Sequence, residues 1–301
     1  MLASILTTIL FALSTVFASR SAKAIGGLAA NFWRLVSGVL LLGLWAHLGG
    51  EGLRGAALPV FLLSGVIGFG VGDTAYFQAL RLLGPRLCIL MTQCLAAPIA
   101  AVTEWVWLGR PLGPRQILFG AMTLAGVALA VMPRKGEAGP AAGRISWWGL
   151  FLGILAAAGQ GIGAVLSRKA YGVAALHGES IGGVTAAYQR ILGGLAVGGA
   201  FIAWRWWREW RRAGGPGPAR SGLRGAWGWV LANAVAGSVL GVSCYQWALR
   251  TTEAGVVLPI VATAPIVIIP FLYFIDGEKP TRRSVWGAAI SVAGVAGLIA
   301  A

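Results

Sequence analysis

Ten apolar runs, most of them separated by only a few residues, constrain this chain more than any other feature. They fall at about 1–19, 30–49, 58–80, 85–108, 115–133, 147–167, 182–204, 225–249, 254–275 and 284–301. A hydrocarbon core of roughly 30 Å takes about 20 residues of helix per crossing, so each run is long enough to span it. Within that core the backbone has no water to bond, and a helix satisfies it internally. The sequence therefore predicts an all-α integral membrane protein with ten transmembrane helices. Composition leaves little else: 57% of residues are hydrophobic and 11% charged, where a soluble domain carries about a quarter charged. A soluble enzyme, a disordered chain and a disulfide-built secreted domain are excluded. Cys88, Cys94 and Cys244 lie inside apolar runs without the spacing of a disulfide framework or a zinc site. Two connectors are long: the stretch around 133–146 and the run Arg205–Arg224, whose first part carries Trp206, Trp207 and Trp210 before a Gly/Pro-rich middle. Aromatic and basic residues together at a helix end anchor it among lipid headgroups.

A net charge of +15 would suit a nucleic-acid binder if the cations were clustered. Apart from Arg34 and Arg190, they instead sit at the ends of the runs or between them, as expected of a protein whose partners are membrane lipids. Of the 24 Lys and Arg residues, 16 lie in connectors after odd-numbered runs and 6 in those after even-numbered runs. The positive-inside rule then favours both termini outside the cytoplasm. The first run has Val16-Phe17-Ala18 where a leader would be cut, but no basic segment ahead of its apolar stretch. We expect it to be retained.

The runs repeat. Tyr76-Phe77-Gln78-Ala79-Leu80-Arg81 ends the third, and Tyr245-Gln246-Trp247-Ala248-Leu249-Arg250 ends the eighth, 169 residues later. Ala125-Gly126-Val127-Ala128 in the fifth answers Ala293-Gly294-Val295-Ala296 in the tenth. Asn31-Phe32-Trp33-Arg34 in the second faces Ala187-Tyr188-Gln189-Arg190 in the seventh, and Ser19-Arg20 in the first faces Ser167-Arg168 in the sixth. Four matches in order, each between runs of equal rank, predict two five-helix halves. The boundaries are 1–132 and 147–301, with 133–146 as linker. Because five is odd, the second half enters the membrane in the opposite sense. Inverted repeats of this kind build alternating-access carriers. The small-xxx-small pairs Gly68/Gly72, Gly149/Gly153, Gly194/Gly198 and Gly237/Gly241 allow close helix approach.

Taken together, these motifs resemble the drug/metabolite transporter superfamily in its EamA-type ten-helix branch. The resemblance rests on the duplicated unit, on Arg34 and Arg190, and on the third-helix endings. It rests further on Pro98 and Pro265 in the fourth helices, and on Gly120/Gly126 and Gly287/Gly294 in the fifth. It covers nearly the whole chain and implies architecture more sharply than substrate. It implies export or exchange of small metabolites, often amino acids, through a central cavity lined by helices 1, 3, 4, 6, 8 and 9, with no cofactor and with both termini cytoplasmic. The chain departs from the branch at Leu108-Gly109-Arg110, where Leu-Gly-Glu is usual; Asp276-Gly277-Glu278 keeps the glutamate, and Glu104 lies close enough to Arg110 to take over a local role.

A charge at membrane depth needs a partner, a wet cavity or an interfacial position. Arg34 and Arg190 lie about a turn inside their runs and are expected to snorkel to headgroups, the alternatives being a gating ion pair or a carboxylate-bearing substrate. Asp73, deep in the third run, is a candidate for binding an ammonium group or a proton as coupling ion, against local pairing with Arg81 or Arg86. Its match in the second half is Val242. Tyr76, Gln93, Gln160, Tyr245 and Gln246 join Asp73 as the candidate substrate path, with Gln78 and Gln189 also polar within runs. Glu104, with Trp105 and Trp107 close after it, is expected at the interface. Pro98, Pro259, Pro265 and Pro270 are expected to kink their helices. No catalytic constellation, nucleotide loop or metal-ligand cluster is present in the sequence. The expectation is a multi-pass carrier of small metabolites, such as amino acids or related amines, in the cell inner (plasma) membrane. The rivals weighed are a membrane enzyme on a lipid-linked substrate and a non-transporting scaffold.

Overall fold

A computed structural model of the protein describes residues 2–108, 113–131, 146–213, 223–251, 257, 260–277 and 280–300. Among these residues the chain is helical and has no strand. The first helices are α1 (Leu2–Ile25), α2 (Gly27–Gly49) and α3 (Leu58–Gly65), the last running through a π-helical segment, Val66–Gly72, into α4 (Asp73–Leu108). Then come α5 (Pro114–Val131), α6 (Trp147–Leu176) and α7 (Gly183–Ala213). Next, α8 (Leu223–Asn233) passes through a second π-helical segment, Ala234–Gly241, into α9 (Val242–Thr251). The chain finishes with α10 (Ala264–Asp276) and α11 (Arg282–Ala300).

Among the described residues, six stretches are long and apolar enough to cross a membrane: Leu2–Ile25, Gly27–Gly49, Leu58–Trp107, Trp147–Leu176, Gly183–Arg208 and Gly225–Thr251. The third covers 50 residues and divides at Gly84, whose φ of 79° is a left-handed value that a side chain disfavours. Pro85 follows at the start of the next helical stretch, where its missing N–H costs nothing. The break between the third and fourth runs is therefore written in the Gly-Pro pair. Several helices outlast their apolar runs. The first reaches Ile25 rather than 19, the sixth Leu176 rather than 167, and the seventh carries its Trp and Arg residues on to Ala213. Polarity marks where a helix leaves hydrocarbon, not where its hydrogen bonding stops.

Helical backbone continues through Pro98 and Pro270, and Pro265 opens α10 in its first turn. The non-helical backbone within α4 falls at Gly84. Pro259, the linker residues 133–145, Gly109-Arg110, Glu278 and the Gly/Pro-rich turn after α7 lie outside the described residues.

Packing pairs helices in a regular manner. α1 lies against α8, the second π segment and α10, while α6 lies against α3, the first π segment and α4. α2 packs on α7, and α5 on α11. Glycine sets the closeness of these contacts. A Cβ on Gly72 would stand 3.1 Å from the Gly159 Cα, and one on Gly65 would run into the Arg190 carbonyl. Between α5 and α11 the approach is reciprocal: Gly126 abuts Ser291, and Gly294 abuts Thr123. Small residues at such contacts let dispersion forces hold helices together where no hydrophobic drive exists between them.

Candidate central binding cavity

The two π-helical segments occupy the same rank in the sequence repeat, beginning at Val66 and Ala234. A π turn takes in an extra residue and offsets the helix beyond it, and such turns gather at functional sites. Immediately after them come Asp73 and Val242, with Tyr76 and Tyr245 one turn further on. All four line a central cavity, together with Gln93, Gln160, Arg34 and Arg190.

Neither arginine snorkels. Arg34 is 5% exposed and Arg190 4% exposed, both facing inward. Their neighbours make the reason clear. An Arg34 Nη2 donates to Asp73 Oδ2 at 2.5 Å and to Asn31 Oδ1 at 2.9 Å, while Nη1 donates to Ser238 Oγ at 2.9 Å. Its guanidinium also lies 5.1 Å from the centre of the Phe77 ring. The partner of Asp73 is thus Arg34, neither of the local arginines, Arg81 and Arg86, that the sequence offered as the alternative to a cavity role. It ties α2 to α4, and through Ser238 to the second π segment. A buried carboxylate held this way is compensated both in charge and in hydrogen bonds. Arg190 has only an aromatic face, that of Phe69 at 5.3 Å. It makes no hydrogen bond or ion pair with any described residue, and its buried Nε is without a partner.

Tyr76 and Tyr245 differ in the same way. The Tyr76 hydroxyl lies 2.7 Å from Thr15 Oγ1, which itself donates to the Phe11 carbonyl, so Tyr76 is the donor of that pair. Tyr245 is 2% exposed, its ring tilts against Phe11 at 5.9 Å, and its hydroxyl has no partner. Gln93 and Gln160 reach the cavity from α4 and α6. Gln246 lies outside the cavity wall. It is fully buried, its Nε2 donates to Ser167 Oγ at 3.5 Å, and its backbone carbonyl accepts from the Tyr171 hydroxyl. Gln189 is likewise structural, donating to the Gly52 and Arg54 carbonyls of the loop after α2. That loop is tied again where the Ala56 N–H donates to Glu179 at 2.9 Å and the Gly182 N–H donates to Glu51 at 3.4 Å.

Two partly exposed ion pairs lie away from the cavity. Arg20 on α1 donates twice to Asp276 Oδ1 on α10, at 2.9 and 2.6 Å, and once to the Ile275 carbonyl. Arg168 on α6 meets Glu104 on α4 at 3.7 Å. Glu104 is thus partly exposed, as expected, and paired. What sequence reading missed is the polar contribution of α1 and α8: Ser14, Thr15 and Asn233 all line the cavity. Positions 11, 14, 15 and 18 share one helical face, so this stripe was available as a signal.

Among the described residues no cluster of His, Cys, Asp and Glu stands ready to hold a metal. The profile of the EamA-like transporter family matches residues 1–132 and 147–300. An uncharacterized protein of Pseudomonas aeruginosa is 35% identical over 113 residues, spanning 36% of this chain and 38% of that protein. The chain thus aligns with little more than a third of that relative's length. A crystal structure of a protein at 19% identity superposes with a TM-score of 0.65, covering 98% of this chain and 95% of the other; this likeness shows the fold alone. The chain belongs to the EamA-like transporter family, within the drug/metabolite transporter superfamily, whose members are membrane transporters of small molecules and not enzymes.

Proposed function

We propose that this multi-pass membrane transporter is a secondary carrier of small metabolites, such as amino acids or related amines. It exports or exchanges them by alternating access across the cell inner membrane. The observation that carries the reading is the central cavity, where Arg34, Asp73 and Tyr76 meet Gln160, Arg190 and Tyr245. Charged and hydrogen-bonding groups gathered at the depth of apolar helices mark a pathway more often than a scaffold. Ten crossings in two inverted halves, 1–132 and 147–301 joined by 133–146, are supported by the helix pairings. α1 with α8 corresponds to α6 with α3, and α1 with α10 corresponds to α6 with α4. Substrate binding involves Asp73, Tyr76, Gln93, Gln160 and Tyr245. Gln246 supports the wall from behind rather than facing the substrate.

Asp73 is the proposed site of coupling to protons. The other charged or titratable groups on the same wall are Arg34, Arg190, Tyr76 and Tyr245. Charge placement favours termini outside the cytoplasm, and a reporter fused at Ala301 tests this, a cytoplasmic reporter reversing it. Cysteines introduced at Gly139 and Gly214 should label from one side of the membrane; labelling from opposite sides would remove the ten-crossing topology. The transport reading is tested by profiling metabolites of cells with and without the protein, followed by uptake of the leading candidates into proteoliposomes. Flux in Asp73→Asn that matches wild type at every pH would take Asp73 out of the mechanism.

A further inference from the structure

The cavity wall holds three charged side chains among the described residues: Arg34, Asp73 and Arg190. Arg34 and Asp73 neutralise each other at 2.5 Å, which leaves one positive charge. Arg190 carries it. A guanidinium withdrawn from water to this extent normally brings its counter-ion with it, because an unpaired buried ion is costly. Here no described residue provides such an ion at close range. Sequence correspondence shows where it would have been. Arg190 matches Arg34, and the residue matching Asp73, the first after the second π segment, is Val242. Val242 lines the same cavity and cannot take a charge. The Tyr245 hydroxyl and Thr92 Oγ1, on residues that line the same cavity, also lack partners among the described residues. Phe69, against the Arg190 guanidinium, and Phe77, against that of Arg34, are apolar members of the same wall.

We infer that the anion missing beside Arg190 is the carboxylate of the transported molecule. This rests on the carrier reading above and narrows it: carboxylate-bearing metabolites, including zwitterions, are substrates, and amines without a carboxylate are not. An ammonium group alone would enter a cavity whose one acid is already held by Arg34 and whose remaining charge repels it. A carboxylate gains a charge-assisted pair in a place that water reaches poorly, where such pairs are strongest. Arg190 and Val242 together then set selectivity, the arginine by attracting the anion and the valine by leaving it room.

The test uses three molecules that share a phenylethyl body: 3-phenylpropionate, phenylalanine and phenethylamine. Full-length protein is placed in nanodiscs for binding, read as ligand-dependent thermal stabilisation, and in liposomes for flux of the same compounds. Both carboxylates should bind wild type and phenethylamine should not. Arg190→Gln should weaken carboxylate binding by about 10- to 100-fold, the range of a lost hydrogen bond to charge. Arg190→Lys should retain part of it. Val242→Asp keeps the arginine and supplies an internal acid, so it too should abolish carboxylate preference, and it carries the test if Arg190→Gln fails to accumulate. Absence of carboxylate binding to wild type, or binding of phenethylamine as tight as that of the acids and indifferent to both substitutions, overturns the inference. Amine flux that ignores Arg190 overturns it while leaving the carrier reading intact. Carboxylate binding without any flux keeps the receptor and overturns the carrier.

Discussion

Arg34 and Arg190 take corresponding places on α2 and α7, and both are buried beside the cavity, yet their surroundings differ. Arg34 has a carboxylate, an amide and a hydroxyl. Arg190 has one aromatic face and no hydrogen-bond partner among the described residues. The tyrosines repeat the contrast, since the Tyr76 hydroxyl is donated to Thr15 and the Tyr245 hydroxyl to nothing. One side of the cavity is thus internally satisfied and the other is left open. Under the proposed repeat, corresponding helices share a backbone plan while dividing labour, with structural cohesion on one side and the proposed recognition on the other.

The sharpest way to break this comparison is to neutralise each arginine in turn. Arg34→Gln strands Asp73, an inward-facing carboxylate, and should cost roughly 3 kcal/mol of stability, the low end for breaking a buried pair because the acid is partly open to the cavity. Arg190→Gln removes a cation that makes no hydrogen bond or close ion pair with any described residue, so abundance and melting temperature should change little while flux falls. Adding Asp73→Asn to Arg34→Gln should restore much of the lost stability. Equal destabilisation by the two single substitutions, in a melt of purified protein, would erase the distinction.

The tyrosines offer the next effect. Tyr76→Phe deletes a made hydrogen bond and leaves Thr15 without its donor, a loss of about 1 kcal/mol. Tyr245→Phe should be neutral to stability, and any flux it loses reports on the substrate instead. A smaller contrast separates the two exposed ion pairs. Arg20→Ala removes three hydrogen bonds and should cost about 0.5–1 kcal/mol, whereas Arg168→Ala at 3.7 Å from Glu104 should cost close to nothing. Equal shifts in both variants would show that their geometries do not matter.

The smallest effect is at acid pH. Burial pushes the Glu51 carboxyl up, but hydrogen bonds from the Thr185 hydroxyl, its own backbone N–H and the Gly182 N–H, with Arg250 near, outweigh this and hold it below the usual value. A carboxylate depressed on folding stabilises the protein above its unfolded pKa, and that stabilisation is lost as pH falls through the folded value. Glu51→Gln should therefore narrow the stability difference between neutral pH and pH 3, measured by thermal melting. An unchanged difference would remove Glu51 from the loop's attachment.

How far the sequence reveals this follows from what kind of information each feature needs. The helices were legible because hydrophobicity along one run is local, and the run beginning at 85 adjoins the break at Gly84. That Arg34 and Asp73 lie within apolar runs was legible for the same reason, although Arg34 was expected to reach out to headgroups. Their pairing was not, because 39 residues separate them and the choice between headgroups, Arg81 and Arg34 depends on which helix faces meet. Gln246 shows the converse limit. It follows Tyr245 directly, so the two side chains point about 100° apart on an α-helix, and only one of them reaches the cavity. Mere presence in a polar helix cannot tell them apart. The helix ends were misjudged because charged residues such as Arg20 and Lys23 continue a helix into water as readily as they end one.

The paired π segments also bear on history. A π turn inside an α-helix is what one inserted residue leaves behind when the helix absorbs it. Both proposed halves carry one, at Val66–Gly72 and Ala234–Gly241, each directly ahead of the residue that decides whether its arginine is neutralised. If the halves descend from one ancestral five-helix unit, the simplest chronology has the insertion first and the copying second. The aspartate–valine difference then came later, in a protein that already had two copies. The ancestral unit, acting as a pair of identical chains, would have presented its arginines alike, both matched or both bare. Fusion into a single chain is what allowed one of them to change without the other.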